Sequence, residues 1–115
     1  SEVYSTRIRT VIKEAASACQ MNLKEGVYVQ LTGPNYETPA ENECAEAGAV
    51  TQSYEYSLRA MAARHMGMEI GGISCITNLA AGMSKQKLDH MEVQESADRV
   101  SKDFKRLITR IIETI

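Results

Sequence analysis

The 115-residue chain lacks the excess of basic residues that a nucleic-acid-binding surface needs. It has 13 Lys and Arg against 15 Asp and Glu, a formal net charge of −2. Because phosphate backbones are bound by basic patches or stripes, this balance argues against a nucleic-acid partner. Residues 26–58 hold acidic residues and no basic one, which we interpret as the solvated face of a helix.

Cysteine is scarce and poorly spaced for cross-linking or metal binding. Cys19, Cys44 and Cys75 are odd in number and include no Cys-x-x-Cys pair. A disulfide framework normally uses an even number of cysteines, and a zinc site normally contains Cys-x-x-Cys pairs. The pattern indicates reduced thiols, with no metal and no bound cofactor.

Long apolar runs are also missing. A membrane-spanning helix needs roughly 20 mainly apolar residues, and no run in the chain approaches that length. The N-terminus does not have the build of a signal peptide. We therefore expect a soluble cytoplasmic protein without a membrane partner.

The patterns that are present alternate between helix and strand. An amphipathic helical repeat begins near residue 2, and apolar or β-rich runs separate the later helical stripes. Such alternation predicts an α/β fold, a three-layer arrangement with a mainly parallel or mixed sheet flanked by helices. The expected order is helix 2–19, strand 26–32, helix 39–47, weak strand 49–53, helix 54–66, strand 68–77 and a long last helix after Asp89.

Two groups of side chains on these elements are expected in the interior. The methionines are assigned to the core by default. His65 lies on an apolar helical stripe, which is typical of a core or edge histidine.

The stretch from residue 32 to residue 41 has the clearest local signals. Gly33 and Pro34 end the strand, because glycine tolerates unusual dihedral angles and proline cannot donate to a central ladder. Thr38 and Glu41 form a capping-box pattern, and Pro39 suits the first helical position. The sequence therefore predicts a short strand-to-helix loop.

Three polar or aromatic residues follow the ends of predicted strands. Tyr36 and Glu37 lie on the loop after the first strand, and Asn78 ends the strand at 68–77. Each has a simpler explanation: Tyr36 can pack on the helix, Glu37 can favour its N-terminus, and Asn78 can be a turn residue. Together they are the groups that a flat heterocycle with N–H and C=O edges requires. A 6-oxopurine is such a ligand.

Three stretches of the chain carry a resemblance to one known family. They are GVYVQLTGPNYETPAE at 26–41, ARHMGMEIGGISCITNLAAG at 63–82 and DHMEV at 89–93. They resemble the C-terminal part of the trimeric purine nucleoside phosphorylases, which cleave inosine and guanosine with phosphate. The resemblance covers almost the whole chain.

The resemblance implies a role for five residues. Tyr36 would stack on the purine, Glu37 would accept from ring N–H groups, and Thr77 would line the base pocket. Asn78 would bond O6 and N7, and His90 would reach the ribose 5′-hydroxyl. Because cleavage leaves negative charge on the purine, a carboxamide N–H directed there would favour the transition state. Asn78 is therefore the expected catalytic residue.

The resemblance also implies that the phosphate-binding half of the site lies upstream of Ser1. The chain is then either a single domain or the C-terminal portion of a larger one. Inorganic phosphate would be the co-substrate, and the family's assembly would be a homotrimer. Two functions follow: a purine nucleoside phosphorylase, or an inactive remnant that associates or binds purine weakly.

Residues 50–58 depart from the family pattern. Tyr54 and Glu55 fall where the family has a Met on the ribose and a Ser on phosphate, and a Glu there is electrostatically wrong for phosphate. Single-base losses that shift the reading frame would explain the change, and true divergence is the alternative. Sequencing the source gene distinguishes the two.

Overall fold

The computed structural model describes residues 2–31, 37–45, 49–53, 56–79 and 90–115. Helices and strands alternate along most of these ranges, as expected for an α/β chain. The elements are α1 Thr6–Ala18, β1 Val27–Gln30, α2 Pro39–Ala45, β2 Ala49–Ser53, α3 Tyr56–His65 and α4 His90–Thr114.

The chain divides into two compact units. The first contains α1, α3, the residues up to Ile73 and the part of α4 from Val100 onward. The second contains β1, α2, β2, the residues from Ser74 and the first part of α4.

The core of the first unit is formed by α1 and α4. Apolar side chains at helical spacing on both helices are buried there, whereas Val100 on α4 is 38% exposed. Leu107 is fully buried, and Ile73 packs against the same cluster from outside the helices. The buried residues are Ile8, Ile12, Ala15, Ala16, Leu107 and Ile111.

Both ends of α1 have a defined cap. The helix begins at Thr6 rather than near residue 2, because Ser5 is the N-cap and its Oγ accepts from the N–H of Ile8 at 3.4 Å. At the other end Gln20 is left-handed, with φ +59°. The N–H of Met21 donates to Ala16 at 2.8 Å, and that of Gln20 donates to the Ser17 carbonyl. These two bonds define a Schellman motif.

The second unit contains a parallel pair of strands. β1 and β2 are aligned from Val27 with Ala49 to Gln30 with Ser53, and the register is irregular between Val27 and Tyr28. The strand predicted at 26–32 is thus present in shorter form. Burial does not alternate from residue to residue along β1, because Val27 is exposed and the next three residues are all half-buried.

Two predictions about the middle of the chain are wrong. The apolar stripe of α3 was expected to face the core, but Leu58 is 66% exposed and His65 is also exposed. Residues 68–77 were expected to form a buried strand, but they form no strand. An apolar composition favours burial, whereas a strand also requires a neighbour to bond with.

Candidate functional site

The capping box after β1 is confirmed. The Glu41 Oε2 atom accepts from the N–H of Thr38 at 2.7 Å and from its hydroxyl at 2.8 Å. In return, the N–H of Glu41 donates to Thr38 Oγ1 at 3.3 Å. These reciprocal bonds satisfy donors that would otherwise be open at the first turn of α2. They fix the start of α2 at Pro39, two residues after Glu37.

The same bonds change the acidity of Glu41. The pKa of Glu41 lies below its ordinary value, first because of the Thr38 backbone N–H and second because of the Thr38 hydroxyl. Hydrogen bonds to the charged form favour that form. Glu41 is therefore held as a carboxylate by its role in capping.

Glu37 is half-buried and immediately precedes the cap residue Thr38. Its backbone belongs to the described part of the loop, and its charge acts to raise the pKa of Glu41, against the larger effect of the Thr38 hydrogen bonds. Tyr36, the predicted stacking residue, lies outside the described residues.

Thr77 and Asn78 are in direct contact. The hydroxyl of Thr77 donates to Asn78 Oδ1 at 2.6 Å, and Asn78 Nδ2 donates to the Leu79 carbonyl at 3.0 Å. Thr77 is half-buried and Asn78 is exposed. These two bonds orient the carboxamide, with its oxygen toward the Thr77 hydroxyl and its NH₂ group toward the Leu79 carbonyl.

His90 is the first residue of α4, so its backbone lies at a helix N-terminus. Its side chain lies outside the described residues. Glu37, Thr77, Asn78 and His90 all belong to the second unit.

Two polar residues of the second unit were not singled out by the sequence. Asn42 on α2 is only 4% exposed, and its N–H donates to the Thr38 carbonyl at 3.2 Å. The hydroxyl of Tyr28 on β1 is buried and has no hydrogen-bond partner among the described residues. The alternation of side chains along β1 places Tyr28 on the same face as Gln30, which would predict a polar, exposed face. The burial of the Tyr28 hydroxyl is therefore not predictable from this pattern. The burial of Asn42 has one indication in the sequence, namely that the residue directly follows Glu41 of the capping box.

The described ranges show no group of three or more His, Cys, Asp or Glu side chains placed to hold a metal ion. Within those ranges, every helix is too short or too polar to cross a bilayer. Cys19 and Cys75 are free thiols.

Known proteins resemble this chain over nearly its full length. A sequence model of the phosphorylase superfamily matches residues 1–113. Purine nucleoside phosphorylase 1 of Geobacillus stearothermophilus is 42% identical over 116 residues, which cover 100% of this chain and 42% of that protein. The purine nucleoside phosphorylase of a Cellulomonas species is 43% identical, covering 96% of this chain and 38% of that protein.

The backbone of this chain is also similar to that of a solved purine nucleoside phosphorylase structure. The crystal structure of Schistosoma mansoni purine nucleoside phosphorylase in complex with adenosine matches with a TM-score of 0.89 at 26% identity. The match covers 98% of this chain and 42% of that chain. It confirms the α/β class.

The chain spans about two fifths of the length of these relatives. The resemblance to purine nucleoside phosphorylases that the sequence indicated is confirmed by them. The chain belongs to the phosphorylase superfamily.

Proposed function

We propose that this chain supplies the purine-binding side of a purine nucleoside phosphorylase site. The reaction would be phosphorolysis of 6-oxopurine nucleosides such as inosine and guanosine, giving the free base and ribose 1-phosphate. The single observation that carries the proposal is the hydrogen bond from Thr77 to Asn78 Oδ1.

That bond decides which half of the carboxamide is available to a ligand. A carboxamide has two N–H donors and one acceptor oxygen. The oxygen of Asn78 accepts from Thr77, and one N–H donates to the Leu79 carbonyl. The second N–H is the donor that a 6-oxopurine needs at O6 or N7. A bond from this N–H to O6 would favour 6-oxopurines over 6-aminopurines, whereas a bond to N7 would form with both.

The same donor explains how the site would accelerate cleavage. Breaking the glycosidic bond leaves negative charge on the purine, and a donor already oriented toward that charge stabilises the transition state more than the ground state. Asn78 is the proposed catalytic residue. Tyr36 would stack on the base, Glu37 would accept from ring N–H groups, and His90 would bind the ribose 5′-hydroxyl.

The remaining parts of the proposal concern the whole protein. Inorganic phosphate is the proposed co-substrate, with no other cofactor. The proposed fold of the complete domain is a three-layer one with a mainly parallel or mixed sheet, and the proposed assembly is a cytoplasmic homotrimer.

The test measures binding and turnover separately. Hypoxanthine is titrated into the unsubstituted chain and into the Asn78→Ala variant. The control variant is Gln94→Ala, at an exposed position of α4. We expect Asn78→Ala to weaken hypoxanthine binding about tenfold, since a hydrogen bond to a charged or strongly polar group contributes about 1.5 kcal/mol, and Gln94→Ala to leave it unchanged. Equal binding by the chain and Asn78→Ala would contradict the assignment of Asn78.

Turnover is measured as phosphate-dependent release of hypoxanthine from inosine. Activity that falls roughly a hundredfold in Asn78→Ala, as when one oxyanion donor is removed, supports the phosphorylase. Binding that depends on Asn78, without turnover, would favour the alternative of a purine-binding unit.

A further inference from the structure

Glu41 holds the peptide unit that joins Glu37 to Thr38. The N–H of this peptide belongs to Thr38 and donates to Glu41 Oε2 at 2.7 Å. The six atoms of a peptide unit lie close to one plane. A hydrogen bond to this N–H therefore also fixes the direction of the Glu37 carbonyl and of the Glu37 Cα atom, from which the Glu37 side chain starts.

The next peptide unit is held by α2 itself. The Thr38 carbonyl accepts from the N–H of Asn42 at 3.2 Å, and Asn42 is only 4% exposed. The peptide units on both sides of Thr38 are thus tied to the first turn of α2. Because hydrogen bonds to a carboxylate are roughly twice as strong as those between neutral groups, the bond to Glu41 is the stronger of the two ties.

Glu41 also acts on Glu37 through its charge. The bonds from the Thr38 backbone and hydroxyl lower the pKa of Glu41, whereas the charge of Glu37 acts to raise it. The two carboxylates are therefore close enough to interact, and like charges repel. Since Thr38 keeps the Glu41 carboxylate in place, Glu37 rotamers that turn toward it are disfavoured.

We propose that Glu41 is a positioning residue that presents the Glu37 carboxylate to a purine base, with a larger effect on guanine than on hypoxanthine. The inference rests on the proposed function, which assigns Glu37 to the ring N–H groups. Guanine offers two neighbouring donors, N1–H and the 2-amino group, whereas hypoxanthine offers N1–H alone on that edge. Two parallel bonds to one carboxylate require a narrower range of directions than one bond does. A loosely held Glu37 should therefore bind guanine less well.

The test compares guanosine and inosine binding to the full 115-residue chain and to two Glu41 variants. Glu41→Ala removes both the tether and the charge. We expect it to weaken guanosine binding about tenfold, and inosine binding by no more than about threefold. Glu41→Gln keeps a side chain that a capping box accepts, so guanosine binding should recover to within about threefold of the original. Glu95→Ala, at an exposed position of α4, is the control and should bind both nucleosides normally.

Two NMR measurements report the tether without a nucleoside. Hydrogen exchange of the Thr38 amide should accelerate at least about tenfold in Glu41→Ala, because its bond is lost, and should stay slow in Glu41→Gln. The residual dipolar coupling of the same amide should shrink in Glu41→Ala only, since the peptide plane is then no longer held. Circular dichroism of each variant shows whether the helices are retained.

Several results would overturn the positioning role. They are equal losses of guanosine and inosine binding in Glu41→Ala, unchanged guanosine binding there, and an unaltered Thr38 amide. Failure of Glu41→Gln to restore guanosine binding would also contradict it.

Glu37→Gln and Asn78→Ala separate this inference from the proposed function. If guanosine binding falls in both of these variants but not in Glu41→Ala, the assignment of Glu41 alone is wrong. If the unsubstituted chain binds neither nucleoside, the proposed function fails and the positioning role fails with it.

Discussion

Arg7 holds Glu69 through both carboxylate oxygens and so joins the start of α1 to the chain after α3. Its Nε lies 3.1 Å from Oε1 and 3.0 Å from Oε2, and its Nη2 bonds Oε2 as well. The hydroxyl of Ser5 donates to Oε1 at 2.8 Å. The pKa of Glu69 is lowered first by the hydrogen bonds from Arg7 and then by the one from Ser5.

The Glu69 contacts should make stability depend on pH in the acid range. Because the pKa of Glu69 is lower in the folded chain than the unfolded value of roughly 4.3, its contribution is present above that value. It is lost as the pH falls through the folded pKa. We expect Glu69→Gln to lower Tm at neutral pH, and the difference from the unsubstituted chain to vanish in acid.

Glu14→Gln is the control for this experiment, because Glu14 is exposed on α1, the helix that carries Arg7. Thermal melts of the three proteins across the acid range measure the difference in Tm. Salt should also reduce this difference, because the side chains of Arg7 and Glu69 are both half-exposed. A constant difference between the Glu69→Gln variant and the unsubstituted chain at all pH values would exclude this linkage.

Removing the capping hydroxyl of Thr38 should loosen the contacts of the Glu41 carboxylate. Thr38→Ala takes away the hydroxyl that both donates to Glu41 and accepts from its N–H. We expect a loss of about 1 kcal/mol in the stability of α2 and a partial rise in the pKa of Glu41, because the backbone N–H of residue 38, the larger cause of the lowered pKa, remains. An NMR titration of the carboxyl group gives the pKa. Thr38→Ser retains the hydroxyl and should leave it low.

Gln20 offers a stabilising substitution. It is left-handed at the end of α1, with φ +59°, a conformation that costs a residue with a Cβ atom roughly 1–2 kcal/mol. Gln20→Gly should raise stability by up to about 1 kcal/mol after the added flexibility of the unfolded chain is subtracted. Urea denaturation measures the gain. Gln20→Ala keeps the Cβ atom, so a gain of equal size there would point to a cause other than backbone conformation.

Thr77 is expected to act by orienting Asn78. Thr77→Val removes the O–H that donates to Asn78 Oδ1 at 2.6 Å, so the carboxamide should lose its fixed direction. If the proposed purine site is right, hypoxanthine binding should weaken by about 1 kcal/mol, roughly fivefold. Thr77→Ser should bind as the unsubstituted chain does.

The side-chain amide signals of Asn78 provide a readout that needs no ligand. Their NMR shifts should change in Thr77→Val and stay nearly constant in Thr77→Ser. Unchanged shifts in the Thr77→Val variant would show that the hydrogen bond does not orient the carboxamide in solution.

Features set by neighbouring residues were predictable from the sequence. The Thr38 and Glu41 capping box depends on side chains three positions apart, and the structure has both of its bonds. The apolar spacing of α1 and α4 likewise places Ile12 and Leu107 on apolar helical faces, and both residues are buried. In each of these cases the physical cause lies within one helix.

Features that depend on distant partners were not predictable. The apolar run at 68–77 indicated a strand but could not indicate whether a neighbouring strand is present. The methionines expected in the core include Met66 at 73% exposed and Met91 at 67% exposed.

The core of the first unit has a consequence for synthesis on the ribosome. Arg106 on α4 donates to the Cys19 carbonyl at the end of α1 at 2.8 Å, across 87 positions of sequence. The apolar side of α1 is therefore translated long before the helix that covers it. Contacts of such long sequence separation form slowly, and an uncovered apolar helix is prone to aggregate. We expect the nascent chain to need a chaperone until α4 emerges.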